Sequence, residues 1–282
     1  MKRDLFFKNI DNILLLTKTK TYSSSQINAL CNEAKEKHYI AQSMSHSAFI
    51  KRLIDLQKKQ VNITMNNKYL SIYSYDEDVS EAKMLQGFRK NSFYSMSSAL
   101  NILGLSDFRS NFIFLSQELS QKNVSGINNS LSQESIDNAF KKDYRRTHMT
   151  GEYEDKHIVF LSPKYTDYYE VLINDEGIRT SSINRAFVEM IVNVQYFKSS
   201  NDIIDVYKPL KNKLDIETIY KVVEKFDFIY PYFQCVGLYL HQIGFSNKEL
   251  HKFKDQVSNI NFYTDKKQNN YKYNSYWKMY YL

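Results

Sequence analysis

The chain has 282 residues, 43% hydrophobic, with 38 Lys and Arg against 31 Asp and Glu, a formal charge of +7 and a pI near 9.0. That is enough apolar material for one large core or two small ones, and the positive balance favours polyanionic partners, although a composition so rich in Lys, Asn, Ile, Tyr and Phe also follows from a genome poor in G and C. The two isolated cysteines, Cys31 and Cys235, exclude a disulfide framework and a zinc site, and no apolar run approaches the roughly 20 residues that cross a bilayer.

At the N-terminus, "MKRDLFFKNIDNILLLTK" is interrupted by Asp4, Lys8, Asn9, Asp11 and Asn12, too often for a signal peptide, so a cytoplasmic protein is expected. Leu5, Ile10, Ile13, Leu14 and Leu16 predict a first helix. "SSSQINALCNEAKEK" predicts a second, with serine caps and Ile27, Leu30, Cys31 and Ala34 on one face. The third runs from Ser45 to Gln57, with Ala48, Phe49, Leu53 and Leu56 on one side and Lys51, Arg52, Asp55 and Lys58 largely on the other. "VNITM" and "YLSIYSY" around "NNK" then predict a hairpin.

Helices followed by a hairpin within about 75 residues is the order of a winged helix-turn-helix. A helix that reads DNA needs short hydrogen-bonding side chains in its first turn and cations where it meets phosphate. Ser45, His46 and Ser47 meet the first need, Lys51 and Arg52 the second, and Lys58, Lys59 and Lys68 would grip neighbouring phosphates. Up to Tyr75 the cations Lys2, Arg3, Lys8, Lys18, Lys20, Lys35, Lys37, Lys51, Arg52, Lys58, Lys59 and Lys68 outnumber Asp4, Asp11, Glu33, Glu36 and Asp55. The competing explanation is an ordinary solvated helix, with Lys68 merely protecting an exposed turn.

Beyond Val79, "FYSMSSALNILGL" predicts a short helix stopped at Gly104, and "NFIFLS", "HIVFLS" and "YYEVLI" predict strands. Ser116 to Ser135, rich in Ser, Asn and Gln around Gly126, is expected to be a loop, and Asn174, Asp175 and Gly177 a turn. "SSINRAFVEMIVNV" opens a helical series continued by "DIIDVYKPLKNK", "DIETIYKVVEKF", "PYFQCVGLYLHQIG" and "SNKELHKFKDQV", with a Ser246–Glu249 capping box. "KKDYRR" at 141–146 and the tail "DKKQNNYKYNSYWKMYYL" are basic, the tail strongly aromatic. Either suits nucleic acid, but a solubilising loop for the first and a tail packed on its own core for the second are the preferred explanations. The expected class is α+β, with a mixed α/β domain and a mainly helical C-terminal part after the winged helix.

Catalytic signals are sparse. The six histidines never take metal-ligand spacing, and the seven glycines form no phosphate loop, so no cofactor is expected. Glu154-Asp155-Lys156 has the E-x-K spacing of metal-dependent nucleases, but the same spacing recurs at Glu33-Ala34-Lys35 and Glu81-Ala82-Lys83. A restriction-type endonuclease targeted by the winged helix is therefore the enzymatic alternative, and a transcription factor without a toxin is a third. His241 is expected to be structural.

From about Asp4 to about Lys254 the chain resembles the AbiEi family of antitoxins from type IV toxin–antitoxin (abortive infection) systems. The resemblance is carried by "NNKYLSIYS", "FYSMSSALNILGLSD", "GIRTSSINRAFVEMIVN" and "LDIETIYKVVEKFDFIYPYFQCVGLYLHQIG". Gln60 and Asn67 stand where that family places glycines. The resemblance implies a winged helix at 1–78 that represses its own operon at repeated sites on double-stranded DNA. It implies an antitoxin domain at 79–264 that antagonises a cognate nucleotidyltransferase toxin without a stable complex; 265–282 is then a basic aromatic tail. The chain lacks a G-S-x-x-x-D-x-D motif, so it is not itself expected to be the toxin, nor an enzyme.

Overall fold

In a computed structural model the described residues are 4–17, 21–121 and 131–282. Lys2, Arg3, Lys18, Lys20 and Gly126 of the expected elements lie outside them. The chain is mixed α/β and forms two compact units. The first holds the residues up to Ser92 together with Met149–Val159 and Ile173–Arg179; the second holds Phe93–His148, Phe160–Leu172 and Thr180–Leu282. The expected boundary at residue 78 falls short of this division, because the helix Glu81–Gln86 packs on the hairpin strands and its Gln86 exchanges two hydrogen bonds with the Arg179 backbone, at 2.7 and 3.0 Å.

In the first unit, helices Leu5–Lys8 and Ile10–Thr17 precede a short strand, Thr21–Ser23, and then helices Ser24–Glu36 and His46–Ile54. The hairpin Lys59–Met65 and Lys68–Ser74 follows. Asn66 and Asn67 both have left-handed backbones, φ +49° and +61°, so the turn has two residues and fixes Met65 opposite Lys68. Thr21–Ser23 pairs antiparallel with the outer side of the second hairpin strand, Ser23 opposite Ile72. On its other side the first hairpin strand receives Thr150–Tyr153, with Met65 opposite Gly151. A Cβ on Gly151 would stand 1.9 Å from the Thr64 carbonyl oxygen, so this pairing requires glycine. Beneath the strands and helices lies one apolar cluster that includes Phe6, Ile13, Ile27, Leu30, Phe49 and Leu53.

The second unit is built round the helix Ile183–Val192, which the Ser182 hydroxyl caps by accepting from the Arg185 N–H. Phe112–Ser116 pairs antiparallel with Phe93–Tyr94, and Tyr94 pairs parallel with Thr180. Residues Ser200–Tyr207, Ile216–Phe226 and Tyr232–Ile243 form further helices, as their 3.6-residue pattern predicts. Part of the Ser116–Ser135 stretch expected as a loop is instead the start of a helix, Gln133–Phe140, capped by Ser132.

Arg185 is fully buried at the centre of this unit. Its guanidinium bonds Glu189 at 2.7 Å, Glu118 at 2.9 Å, the Thr166 hydroxyl at 3.0 Å and the Tyr169 carbonyl at 2.6 Å, and lies over the Phe93 and Phe226 rings. Glu118 also accepts the Thr166 and Tyr168 N–H groups, while Glu189 accepts from Met96 N and the Ser181 hydroxyl. Buried charges persist only when their polar atoms are matched, and here each guanidinium nitrogen and each carboxylate oxygen has a partner.

The tail belongs to the second unit and packs on it. Lys272–Asn274, Met279–Tyr281 and Phe262–Tyr263 form a three-stranded sheet, and Trp277 is fully buried with its indole N–H donating to His241 Nδ1 at 3.0 Å. Gly237 lets the ring approach, since a Cβ there would stand 2.4 Å from it.

Two stability outcomes follow from these contacts. Gly237→Ala should lower unfolding free energy by about 1–2 kcal/mol in urea melts, because displacing a packed indole outweighs the ~1 kcal/mol of helix propensity gained; a stabilised variant would place Trp277 elsewhere. Glu118→Ala leaves Arg185 Nη2 and the Thr166 and Tyr168 N–H groups without their acceptor in the interior and should cost about 3–5 kcal/mol by the same measurement, against less than ~1 kcal/mol were Glu118 in water.

Candidate nucleic-acid interface

The helix His46–Ile54 begins with Ser45, whose hydroxyl accepts the Ala48 N–H at 3.2 Å. A turn after the helix Ser24–Glu36 leads into it, and the two helices pack together. Phe49 and Leu53, spaced i, i+4, are fully buried, Phe49 edge-on to Phe6 with ring centroids 5.9 Å apart. Burial of two such side chains is worth roughly 3–6 kcal/mol, which fixes the rotation of the helix about its own axis.

That rotation sorts the expected site residues. Ser45, His46, Ser47 and Lys51 are exposed. His46 Nε2 hydrogen-bonds the Asn32 carboxamide oxygen at 3.0 Å, tying the start of this helix to the preceding one. The Lys51 ammonium makes no ion pair among the described residues.

Arg52 is placed differently. Its guanidinium donates to Asp4 Oδ2 at 2.5 Å and lies 5.5 Å over both the Phe6 and Phe7 rings. The Phe6 N–H and then Arg52 hold the Asp4 carboxyl below its ordinary pKa. Arg52 is thus a strut between the helix His46–Ile54 and the start of Leu5–Lys8, where sequence pattern alone grouped it with Lys51.

Lys58 and Lys59 are also engaged within the fold. Lys58 pairs with Glu77 at 2.9 Å and Lys59 donates to the Val79 carbonyl at 2.8 Å. Both stand at the base of the hairpin, where Lys59 is opposite Ser74 and the exposed acids Asp76, Glu77 and Asp78 follow. A phosphate would meet those carboxylates there. Lys68 stands at the other end, exposed beside the Asn66–Asn67 turn, followed by Tyr69, which is 88% exposed. Sequence pattern does not single out Tyr69; its signal is a large aromatic two residues after the asparagine pair, just before the half-buried Leu70.

Of the fragments with nuclease spacing, two meet: Glu81 and Glu154 both hydrogen-bond the Tyr153 hydroxyl. Glu154 and Asp155 form the two-residue turn between Tyr153 and Lys156, both exposed, and Glu33 pairs with Lys37 at 3.2 Å. Among the described residues no group of three or more His, Cys, Asp or Glu side chains is arranged to hold a metal ion. Cys31 and Cys235 are buried free thiols, both pushed up in pKa by burial. No helix among the described residues is long and apolar enough to cross a membrane.

The chain matches no protein-family model and no curated protein. It is similar to the crystal structure of the RV2827C protein from Mycobacterium tuberculosis, with a TM-score of 0.51 and 9% sequence identity over 98% of this chain and 90% of that one. At that identity the likeness extends to the fold alone.

The Arg52–Asp4 pair has a pH signature. A carboxyl with a lowered folded pKa stabilises the fold above its unfolded pKa and loses that contribution as the pH falls through the folded value. Both side chains are about one-third exposed, so Arg52→Met should cost about 1 kcal/mol or less at pH 7. The difference from wild type should shrink towards pH 3 in parallel thermal melts; a difference that is constant with pH would remove the pair from the stability of the fold.

Proposed function

We propose that the first unit is a winged helix-turn-helix that binds double-stranded DNA, and that the chain is a non-enzymatic repressor of the AbiEi antitoxin type. The element order supports the first part: helices, a short strand, two helices, then a hairpin whose outer strand pairs with that short strand. This is the connectivity a winged helix requires, the helix His46–Ile54 standing in chain order between its helical companions and the hairpin. The observation that carries the reading is the sided helix His46–Ile54. Phe49 and Leu53 are sealed beneath it, while Ser45, His46, Ser47 and Lys51 are left exposed. Its first turn also offers free N–H groups and the positive end of a helix dipole.

Within that reading Ser45, His46 and Ser47 face base edges, Lys51 meets phosphate, and Lys68 with Tyr69 forms the wing tip. Arg52, Lys58 and Lys59 hold the helix and wing in place. The antitoxin part rests on the AbiEi-like motifs alone: an autorepressor acting at repeated operator sites, with the second unit opposing a nucleotidyltransferase toxin without a stable complex.

The test is fluorescence anisotropy with a duplex from the chain's own upstream region. Lys51→Glu with Lys68→Glu should weaken binding at least tenfold and lower the slope of log affinity against log salt by about two units. Unchanged affinity and slope would remove this face from DNA binding. Incubation with Mg²⁺ and plasmid should leave the plasmid intact, and cleavage would replace the repressor reading by the endonuclease one. A neighbouring nucleotidyltransferase reading frame whose toxicity the chain relieves on co-expression would support the antitoxin assignment; absence of relief would reduce the chain to a transcription factor.

A further inference from the structure

Two basic segments that lie far apart in the chain meet in the second unit. The Lys266 N–H donates to the Tyr144 hydroxyl at 2.8 Å, the Lys267 N–H to the Phe140 carbonyl at 3.3 Å, and Lys267 pairs with Asp143. Phe140 stacks on Tyr263, centroids 4.9 Å apart. Between the helix Gln133–Phe140 and the start of the tail runs a groove of about 420 Å³, within the range of sites that hold one nucleotide-sized group.

The lining of this groove has two chemistries. Lys142, Arg145 and Lys266 supply cations, and Asp143, the acid among the lining residues, is already paired with Lys267. Lys142 and Arg145 are exposed and make no ion pair among the described residues. Lys266 lies over the Phe140 and Tyr144 rings, at 5.6 and 5.5 Å, and its ammonium is lowered in pKa first by burial and then by Arg145. With three cations against the single carboxylate of Asp143 in the lining, the groove is net positive and an anion would relieve the crowding. The other chemistry is aromatic. Tyr230 stacks on Phe262 at 5.8 Å on one side, lines the groove and is 38% exposed.

We propose that this groove binds single-stranded nucleic acid, with a backbone phosphate held among Lys142, Arg145 and Lys266 and an unstacked base on Tyr230. Cations along a slot beside an open aromatic ring are the combination that single strands use, and a base inside a duplex has no free face to offer. The site is independent of the duplex-binding face proposed for the first unit.

The experiment is anisotropy of a labelled twelve-nucleotide oligouridylate with the full chain. Lys142→Glu with Arg145→Glu should weaken binding at least tenfold and lower the salt slope by about 1.4 units, at about 0.7 per phosphate. Tyr230→Ala should weaken it about fivefold or more, while Tyr230→Phe, which keeps the ring, should bind as wild type. Lys51→Glu should leave oligouridylate binding unchanged, which separates this site from the first unit. No binding at low salt, or equal binding by the Lys142/Arg145 variant and wild type, would overturn the proposal. So would competition by a blunt twelve-base-pair duplex or by polyglutamate as effective as that by unlabelled oligouridylate.

Discussion

The burial of Phe49 and Leu53 is the constraint from which the first unit's surface follows. Successive helical residues turn by about 100°, so Lys51 stands about 160° round the helix from Phe49, and Arg52 only about 60°. Once Phe49 is locked edge-on to Phe6, Lys51 has nowhere to go but outward, and Arg52 lies along the margin of the buried stripe. There it finds Asp4 and two phenyl rings. Adjacent cations in one helix thus acquire opposite duties, one available to a ligand and one holding the helix to the first element of the fold.

The second unit depends on a different device. Its central helix is buried on nearly every side, and the charge of Arg185 survives there because two carboxylates, a hydroxyl and a carbonyl oxygen surround it. Well-packed apolar residues would serve stability as well or better. What the ionic cluster supplies is a requirement of position: Glu189 is one turn along Arg185's own helix, but Glu118 comes from the segment after the strand Phe112–Ser116 and Thr166 and Tyr169 from a loop, so each must arrive in one register for all to be satisfied. The tail is fastened by analogous matching, Trp277 against the bare backbone of Gly237 and the ring nitrogen of His241.

Much of this was legible in the sequence. The 3.6-residue patterns of "SSINRAFVEMIVNV" and "DIETIYKVVEKF" became helices Ile183–Val192 and Ile216–Phe226, and the Asn pair became the expected tight turn. What escaped were features set by partners distant in the chain. The strands Thr21–Ser23 and Thr150–Tyr153 are too short to show a period of two, and exist because the hairpin strands offer unpaired edges on either side. The buried ions also escaped: Arg185 and Glu189 stand i, i+4 inside an apolar helix, a signal the helical pattern alone does not bring out, and Glu118 cannot be read from spacing. Of the residues expected to touch DNA, Ser45, His46, Ser47, Lys51 and Lys68 are exposed. Arg52, Lys58 and Lys59 are bound to Asp4, Glu77 and Val79, and that distinction needs three dimensions.

The most direct measurement is amide hydrogen exchange of the full chain with and without a duplex carrying its own upstream sequence. The account requires slowed exchange across the start of the helix His46–Ile54 and at the Asn66–Tyr69 tip, with the acidic stretch at 76–78 unaffected. Bound duplex that leaves both segments exchanging as in the free chain would contradict it.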